Sequence, residues 1–266
     1  MGMTVAVANQ KGGVGKTLTT ANLVRAAAGE GLRVLAVDAD AQANLTATLA
    51  PEYQGAGLEH SLATVLGSGD RLDAAIVASE WAGVDVVPAG GEDLADAQQT
   101  LVIQKAGREL RLRRALASVA ARYDLVVLDC PPSLDQLTIN ALSAADALVI
   151  VTDPGQYALN GLDRLLDTID IVREYTNPTL VIAGTIINGY AYTRRMDRWC
   201  ADIRSAAAAL GIAVLDPPIH RLTWIAEAQE AGVGLDQWPD PKAAALHEMY
   251  VDKLRAVLAT AGERTR

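Results

Sequence analysis

Phenylalanine is absent from this chain, and aromatic residues of all kinds make up 4% of it. A core must therefore be built from Ala, Val, Leu and Ile, which restricts packing but points to no function. Only two cysteines occur, Cys130 and Cys200, so neither a disulfide framework nor a thiolate zinc pattern is available. A reducing, cytoplasmic setting is expected. Hydrophobic residues reach 50%, yet no run comes near the roughly 18–20 apolar residues of a membrane span. Met1-Gly2-Met3-Thr4 passes directly into an apolar stretch, so no signal peptide is expected. Ala6 stands where a myristoylation signal needs Ser or Thr. Basic residues are also in deficit: 23 Lys and Arg against 32 Asp and Glu give a net charge of −9. That balance argues against a surface coated in nucleic acid, because phosphate contacts need clustered cations. One stretch is locally basic, Arg194-Arg195-Met196-Asp197-Arg198 running on to Arg204.

What is present begins with a phosphate-binding loop, Lys11-Gly12-Gly13-Val14-Gly15-Lys16-Thr17. It follows the apolar run Thr4–Asn9, which reads as a strand buried on both faces of a parallel sheet. It precedes Thr17–Ala28, whose Ala21, Leu23, Val24 and Ala27 give a helical apolar face. Strand, glycine-rich turn and helix N-terminus is the context a P-loop requires. Gly12, Gly13 and Gly15 let the backbone turn its N–H groups inward, where they and the helix dipole hold phosphate oxygens with Val14 between them. Lys16 is expected on the β- and γ-phosphates and Thr17 on Mg²⁺. Lys11 is one lysine more than the general pattern needs. Two lysines are of use together if two sets of charges meet at one triphosphate, which points to a dimer.

Apolar β-forming runs alternate with helical patterns from end to end, as in a doubly wound α/β fold with a mostly parallel sheet and helices on both faces. Further strands are expected at Arg33–Asp38, Val84–Pro88, Leu125–Asp129, Ala147–Thr152 and Leu180–Asn188. Helices are expected at Asp96–Arg122, Gly161–Tyr175 and Arg195–Leu210. Pro51–Gly57 and Gly67-Ser68-Gly69 read as loops. No linker or repeat divides the chain, so residues 1–266 read as one P-loop ATPase domain.

Two strand ends carry carboxylates. Leu125–Asp129 delivers Asp129 to the C-terminal sheet edge, where open α/β sheets bind ligands. There it can hold Mg²⁺ directly or through water, opposite Thr17. The stiff turn Cys130-Pro131-Pro132-Ser133 that follows suits sensing of a γ-phosphate. Asp38 and Asp40, two residues apart on an extended segment, point the same way. Asp40 is placed to orient a water for hydrolysis and to share the metal, and Asp38 to brace the P-loop lysine and its neighbours.

These motifs together resemble the deviant Walker A, switch I and Walker B/switch II motifs of the ParA family of P-loop ATPases, which also includes MinD. Tyr157-Ala158-Leu159, Arg221 and Ala226-Glu227-Ala228 resemble later landmarks, so the likeness covers nearly the whole chain. The resemblance implies ATP and Mg²⁺ as cofactors. It also implies an ATP-bound sandwich homodimer in which Lys11 reaches the partner's phosphates, and adenine contacts near Asn188 and Pro218 of the Pro217-Pro218 turn. Four positions depart from the family pattern. Leu18 replaces a hydroxyl residue that bonds the α-phosphate, leaving the backbone N–H. Ala41 and Ala43 replace the Pro and Gly flanking Gln42. Gly155 replaces a Glu that touches the partner's ribose, and Trp224 replaces a basic residue.

Within the family the expected function is a DNA-partitioning ATPase that binds DNA non-specifically as a dimer through Arg194, Arg195, Arg198 and Arg221. Partner-stimulated hydrolysis by a ParB-like centromere-binding protein would release it, leaving it cytoplasmic and nucleoid-associated only with ATP. A MinD-like regulator at the membrane is the alternative. It needs a basic amphipathic C-terminal helix, whereas the stripe Leu246, Met249, Tyr250, Leu254, Val257 and Leu258 is flanked by charges of mixed sign and reads as core. No membrane partner is therefore expected. A redox relative of the nitrogenase iron protein would need paired cysteines near the switches, and Cys130 and Cys200 do not supply them.

Overall fold

In the computed structural model, which describes residues 2–55, 57–104, 106–156 and 158–263 (backbone only at 159, 160 and 263), seven strands form one sheet. In chain order the elements are β1 (Met3–Ala8), α1 (Lys16–Gly29), β2 (Val34–Asp38), α2 (Asn44–Leu49), α3 (Leu62–Gly67), β3 (Val77–Ala78), β4 (Val84–Val87) and α4 (Glu92–Ile103). There follow α5 (Arg111–Ala117), β5 (Leu125–Asp129), α6 (Gln136–Ala144), β6 (Ala147–Thr152), α7 (Ala158–Tyr175), β7 (Val181–Ile187), α8 (Arg194–Ala209), α9 (Thr223–Glu230) and α10 (Pro241–Glu263). The strand order is β3-β4-β2-β5-β1-β6-β7, parallel throughout except for the edge pair β3–β4. The expected doubly wound α/β architecture is present.

The strands are apolar on both sides because both sides are covered. Val5 and Val7 of β1 enter one core with Val34, Ala36, Val127 and Val149. Ala6 and Ala8 enter the other with Leu35, Val37, Leu128 and Ile150. Helices α3 to α7 cover the second face. In α7, Leu162, Leu165, Ile169 and Val172 recur at helical spacing and are buried, while Asp163, Asp167 and Asp170 face outward. On the first face α10 packs against α1, burying Leu246, Tyr250, Leu254 and Val257. The C-terminal apolar stripe is thus consumed by the core, and none of the described helices is long and apolar enough to cross a membrane.

One expectation fails. The continuous helix foreseen over Asp96–Arg122 is broken: α4 stops at Ile103 and α5 begins at Arg111. Gly107 lies between them at φ 73, a left-handed conformation that glycine adopts without a Cβ clash. The break frees the Arg108 carbonyl to accept from Asn140 Nδ2 of α6 at 2.9 Å. The short elements α2, α3, β3 and α9 carry too few residues for a periodicity to be read.

Leu35 is fully buried at the centre of the second core. Leu35→Ala should lower the unfolding free energy by about 3 kcal/mol, read as an earlier urea midpoint at unchanged slope.

Candidate active site

Lys16, Thr17, Asp38, Asp40 and Asp129 collect at the C-terminal edge of the sheet, where the strands deliver their last residues. The loop after β1 turns through Gly13 (φ 73) and Gly15 (φ 88) into α1. No side chain caps the start of α1, so its first N–H groups face the loop's concavity. Asn188, just past β7, donates from Nδ2 to the Val14 carbonyl at 2.8 Å. A Cβ on Gly15 would lie 1.9 Å from that nitrogen, so this approach admits only glycine. Asn9 anchors the loop's other end, donating to the Val151 carbonyl at 2.7 Å and accepting from the Lys11 amide at 3.0 Å.

Two recesses of about 540 and 740 Å³ flank this loop and share Gly13, Gly15, Leu18, Ala226 and Gln229 as walls. Lys16, Thr17, Asp40 and Pro132 line the larger one, a chamber with a carboxylate and the loop in its walls. Asn188, Asp153, His220 and Arg221 line the other. Arg221, expected on the DNA face, therefore also borders the nucleotide side. Pro218 lines a separate recess with Tyr190 and Tyr192, away from the loop.

The two loop lysines occupy different environments. Lys16 is buried, and its Nζ donates to the Lys11 carbonyl at 3.4 Å. Desolvation pulls its pKa down, opposed chiefly by the charge of Asp129. Lys11 stays at the rim, its Nζ 2.7 Å from both carboxylate oxygens of Asp153, at the end of β6. A Cβ at Gly155 would sit 3.8 Å from that Nζ, so the position where the family carries Glu abuts the tip of Lys11.

Asp129 is fully buried. Its Oδ1 accepts from Thr20 Oγ1 at 2.9 Å, while Oδ2 has no hydrogen-bond partner. Burial, then the nearby Asp38 charge, pushes its pKa upward. Asp38, its register partner on β2, departs from its expected role. It does not brace Lys16; Oδ2 accepts from Thr46 N (2.8 Å) and Thr46 Oγ1 (2.7 Å), and Oδ1 from Asp40 N (3.2 Å). It holds its own loop, presenting Asp40 to the chamber. Asp40 in turn accepts from Gln42 N at 3.0 Å. Pro131 is buried and Pro132 exposed on the chamber side, with its Cβ 3.7 Å from the place a Gly12 Cβ would take.

A family model described as an AAA domain matches residues 2–182. The sporulation initiation inhibitor protein Soj of Bacillus subtilis is 43% identical over 187 residues, 70% of this chain and 72% of that protein. The chromosome partitioning protein ParA of Caulobacter vibrioides is 40% identical over 235 residues, 86% and 84% of the two chains. The chain belongs to the ParA family of partition ATPases. A Mycobacterium smegmatis structure described as cobyrinic acid a,c-diamide synthase, solved with ADP and magnesium, is 37% identical. It superposes with a TM-score of 0.75, over 87% of this chain and 92% of that one.

ATP and Mg²⁺ are the cofactors of this ParA-family chain. The residues fit the metal. The unpartnered Oδ2 of Asp129 and the Thr17 hydroxyl suit a cation that keeps several waters and takes its other ligands from phosphates. Among the described residues no cluster of three His, Cys, Asp or Glu forms an all-protein metal cage. Asp129 does not line the chamber and is fully buried, which favours contact through water. The sequence missed Asn9, Thr20, Thr46 and Asp153. Only Asp153 carried a usable signal, being a strand-end carboxylate like Asp129. Trp224, at a departing position, packs against the core, and Tyr157 lies outside the described residues. Arg194, Arg195 and Arg198 are exposed on the first turns of α8, apart from both recesses.

Ala43, where the family has glycine, is held at φ 54. A left-handed alanine costs about 1 kcal/mol, so Ala43→Gly should be neutral to stabilising. Ala26→Gly, inside α1, should cost about 1 kcal/mol. Urea midpoints of the two variants should move in opposite directions or, at least, Ala43→Gly should show no loss.

Proposed function

We propose that this chain is an ATP-operated partition switch. With ATP and Mg²⁺ it closes as a sandwich homodimer, binds DNA non-specifically, and is reset by hydrolysis that a ParB-like partner stimulates. The observation that carries this reading is the division between the lysines: Lys16 is buried over its own phosphate chamber, whereas Lys11 stands at the rim on Asp153. Lys16 and the loop amides bind the triphosphate in cis. Lys11 exchanges Asp153 for the phosphates of a facing subunit. Thr17 and, through water, Asp129 would hold Mg²⁺, which would supply neutralisation of the phosphate charge. Asp40, fixed through Asp38 and Thr46, orients the attacking water. Pro132 reports the γ-phosphate to the segment leading into α6.

DNA is held by Arg194, Arg195 and Arg198. Two copies in a dimer double the phosphate contacts and steepen the salt dependence. Placing arginines in the first turn opposes the helix dipole, so α8 gains nothing from them, which supports a binding role. The chain's acidity elsewhere suits a basic segment on a partner.

Lys16→Ala should abolish nucleotide binding, measured by titration with a fluorescent ATP analogue. Asp40→Ala should keep ATP-dependent dimer and DNA binding while slowing hydrolysis at least about a hundredfold. Lys11→Ala should bind ATP and remain a monomer by light scattering. A DNA shift assay with ATP, ADP and no nucleotide tests the whole reading. Binding indifferent to nucleotide, or directed to anionic liposomes in place of DNA, would overturn it.

A further inference from the structure

Beside the arginines of α8 lies a group of rings that phosphate binding leaves unexplained. Tyr192, two residues before the helix, is 84% exposed. Its ring is nonetheless fixed. His220 lies against one face at 4.6 Å between centroids with a 31° tilt, and Tyr190 meets it edge-on at 5.4 Å. Tyr190 also packs edge-on against His220 at 5.1 Å, and its hydroxyl donates to Asp197 Oδ1 at 2.6 Å. The three rings therefore brace one another, leaving the outer face of Tyr192 open.

Against these rings is a recess of about 300 Å³, lined by all three together with Asp197, Cys200, Arg204 and Pro218. That size is at the lower end for small ligands. Its charge is wrong for a phosphate. Arg204 is engaged by Asp216 through two bonds, at 3.0 and 2.6 Å, and Asp197 is acidic. Its walls suit a flat, neutral ring with an amino edge, since a carboxylate accepts from the exocyclic amines of bases. Cations for phosphates stand outside, at Arg194, Arg195 and Arg198, with Arg195 stacked over Trp199 at 4.5 Å. Rings that take bases beside cations that follow a backbone are the two components of single-strand binding.

We propose that this recess takes one unstacked nucleobase on Tyr192, so that the arginine face of α8 holds single-stranded DNA by stacking as well as by phosphate contacts. The inference rests on the DNA-binding reading above and adds the form of nucleic acid to it. A duplex keeps its bases stacked and engages only the arginines.

The test uses the full chain with Mg²⁺ and a non-hydrolysable ATP analogue. Fluorescence anisotropy is read against a 20-nucleotide mixed-sequence strand and the matching duplex at one salt concentration. Tyr192→Ala should weaken single-strand binding about tenfold and change duplex binding less than about twofold. Tyr192→Phe, which keeps the ring, should bind both like the unsubstituted chain. The exposure of Tyr192 leaves folding unaffected in either variant. Equal losses on both DNA forms, no loss on the single strand, or no rescue by phenylalanine would overturn the stacking role. If the unsubstituted chain binds duplex but not the single strand, this inference alone falls. If it binds neither, or the triple variant R194A/R195A/R198A binds both undiminished, the DNA reading of α8 falls and takes this one with it.

Discussion

The site depends on two carboxylates buried side by side. Asp38 and Asp129 are register partners on adjacent central strands, and neither is exposed to water. Two anions at such a place repel each other and lack hydration, so each pKa is driven upward by burial first. The surrounding residues answer that stress with donors. Thr46 gives Asp38 both its amide and its hydroxyl, and Thr20 gives Asp129 its hydroxyl. Lys16 is drawn into the same region, against its own desolvation. One acceptor, Asp129 Oδ2, is left over. A buried carboxylate oxygen without a partner is costly unless a cation or an ordered water completes it, so the protein's own hydrogen bonding leaves one acceptor that either could satisfy.

The same bonds join the loop, β2, β5 and α2. Asp38 fixes the Asp40 amide, so Asp40 cannot shift without disturbing the start of α2. The Ala39 amide donates to the Asp129 carbonyl, and the Cys130 amide to the carbonyl of Val7 on β1. Three strand ends are thereby locked in a single layer beneath the loop. Lys11 is the exception. Its charge is balanced by Asp153 at a partly exposed position, where an ion pair is worth little. Lys11 is held weakly at the rim, while Lys16 is buried.

Sequence reasoning placed the residues that lie in contiguous motifs and lost what the fold assembles. Gly15, Lys16, Asp40 and Asp129 could be read because strand, turn and helix fix their placement locally. Asp38 was found but misassigned, since its partner Thr46 lies on a helix too short to show a period. Arg221 and Pro218 are three residues apart, yet they line different recesses, because the segment between Ala213 and Arg221 runs beside β7 like an eighth strand. Its amide bonds alternate with those of Thr185, Ile187 and Tyr190. The segment bends at Asp216 and Pro217, and nothing in its sequence says which side of it meets the loop. The break at Gly107 was missed for a related reason: a single glycine inside a helical pattern is usually tolerated, and only the docking of α6 shows the turn is used.

That edge segment also joins the nucleotide site to the outer face of α8. Lys253, buried on α10, donates to the carbonyls of Leu215 and Pro217 at 2.7 Å each, and Arg204 of α8 holds Asp216 between them. Burial lowers the pKa of this lysine to about 8, the mark of a cation kept for its donors. With its first half clamped, the segment's free end carries His220 and Arg221. His220 lines both the recess beside the loop and the recess behind Tyr192. Met196, on the first turn of α8, borders the loop-side recess as well. The wall of that recess thus includes a ring of the aromatic platform and a residue of the helix bearing the arginines. The loop-side recess and the outer face beside α8 are joined through one wall, His220.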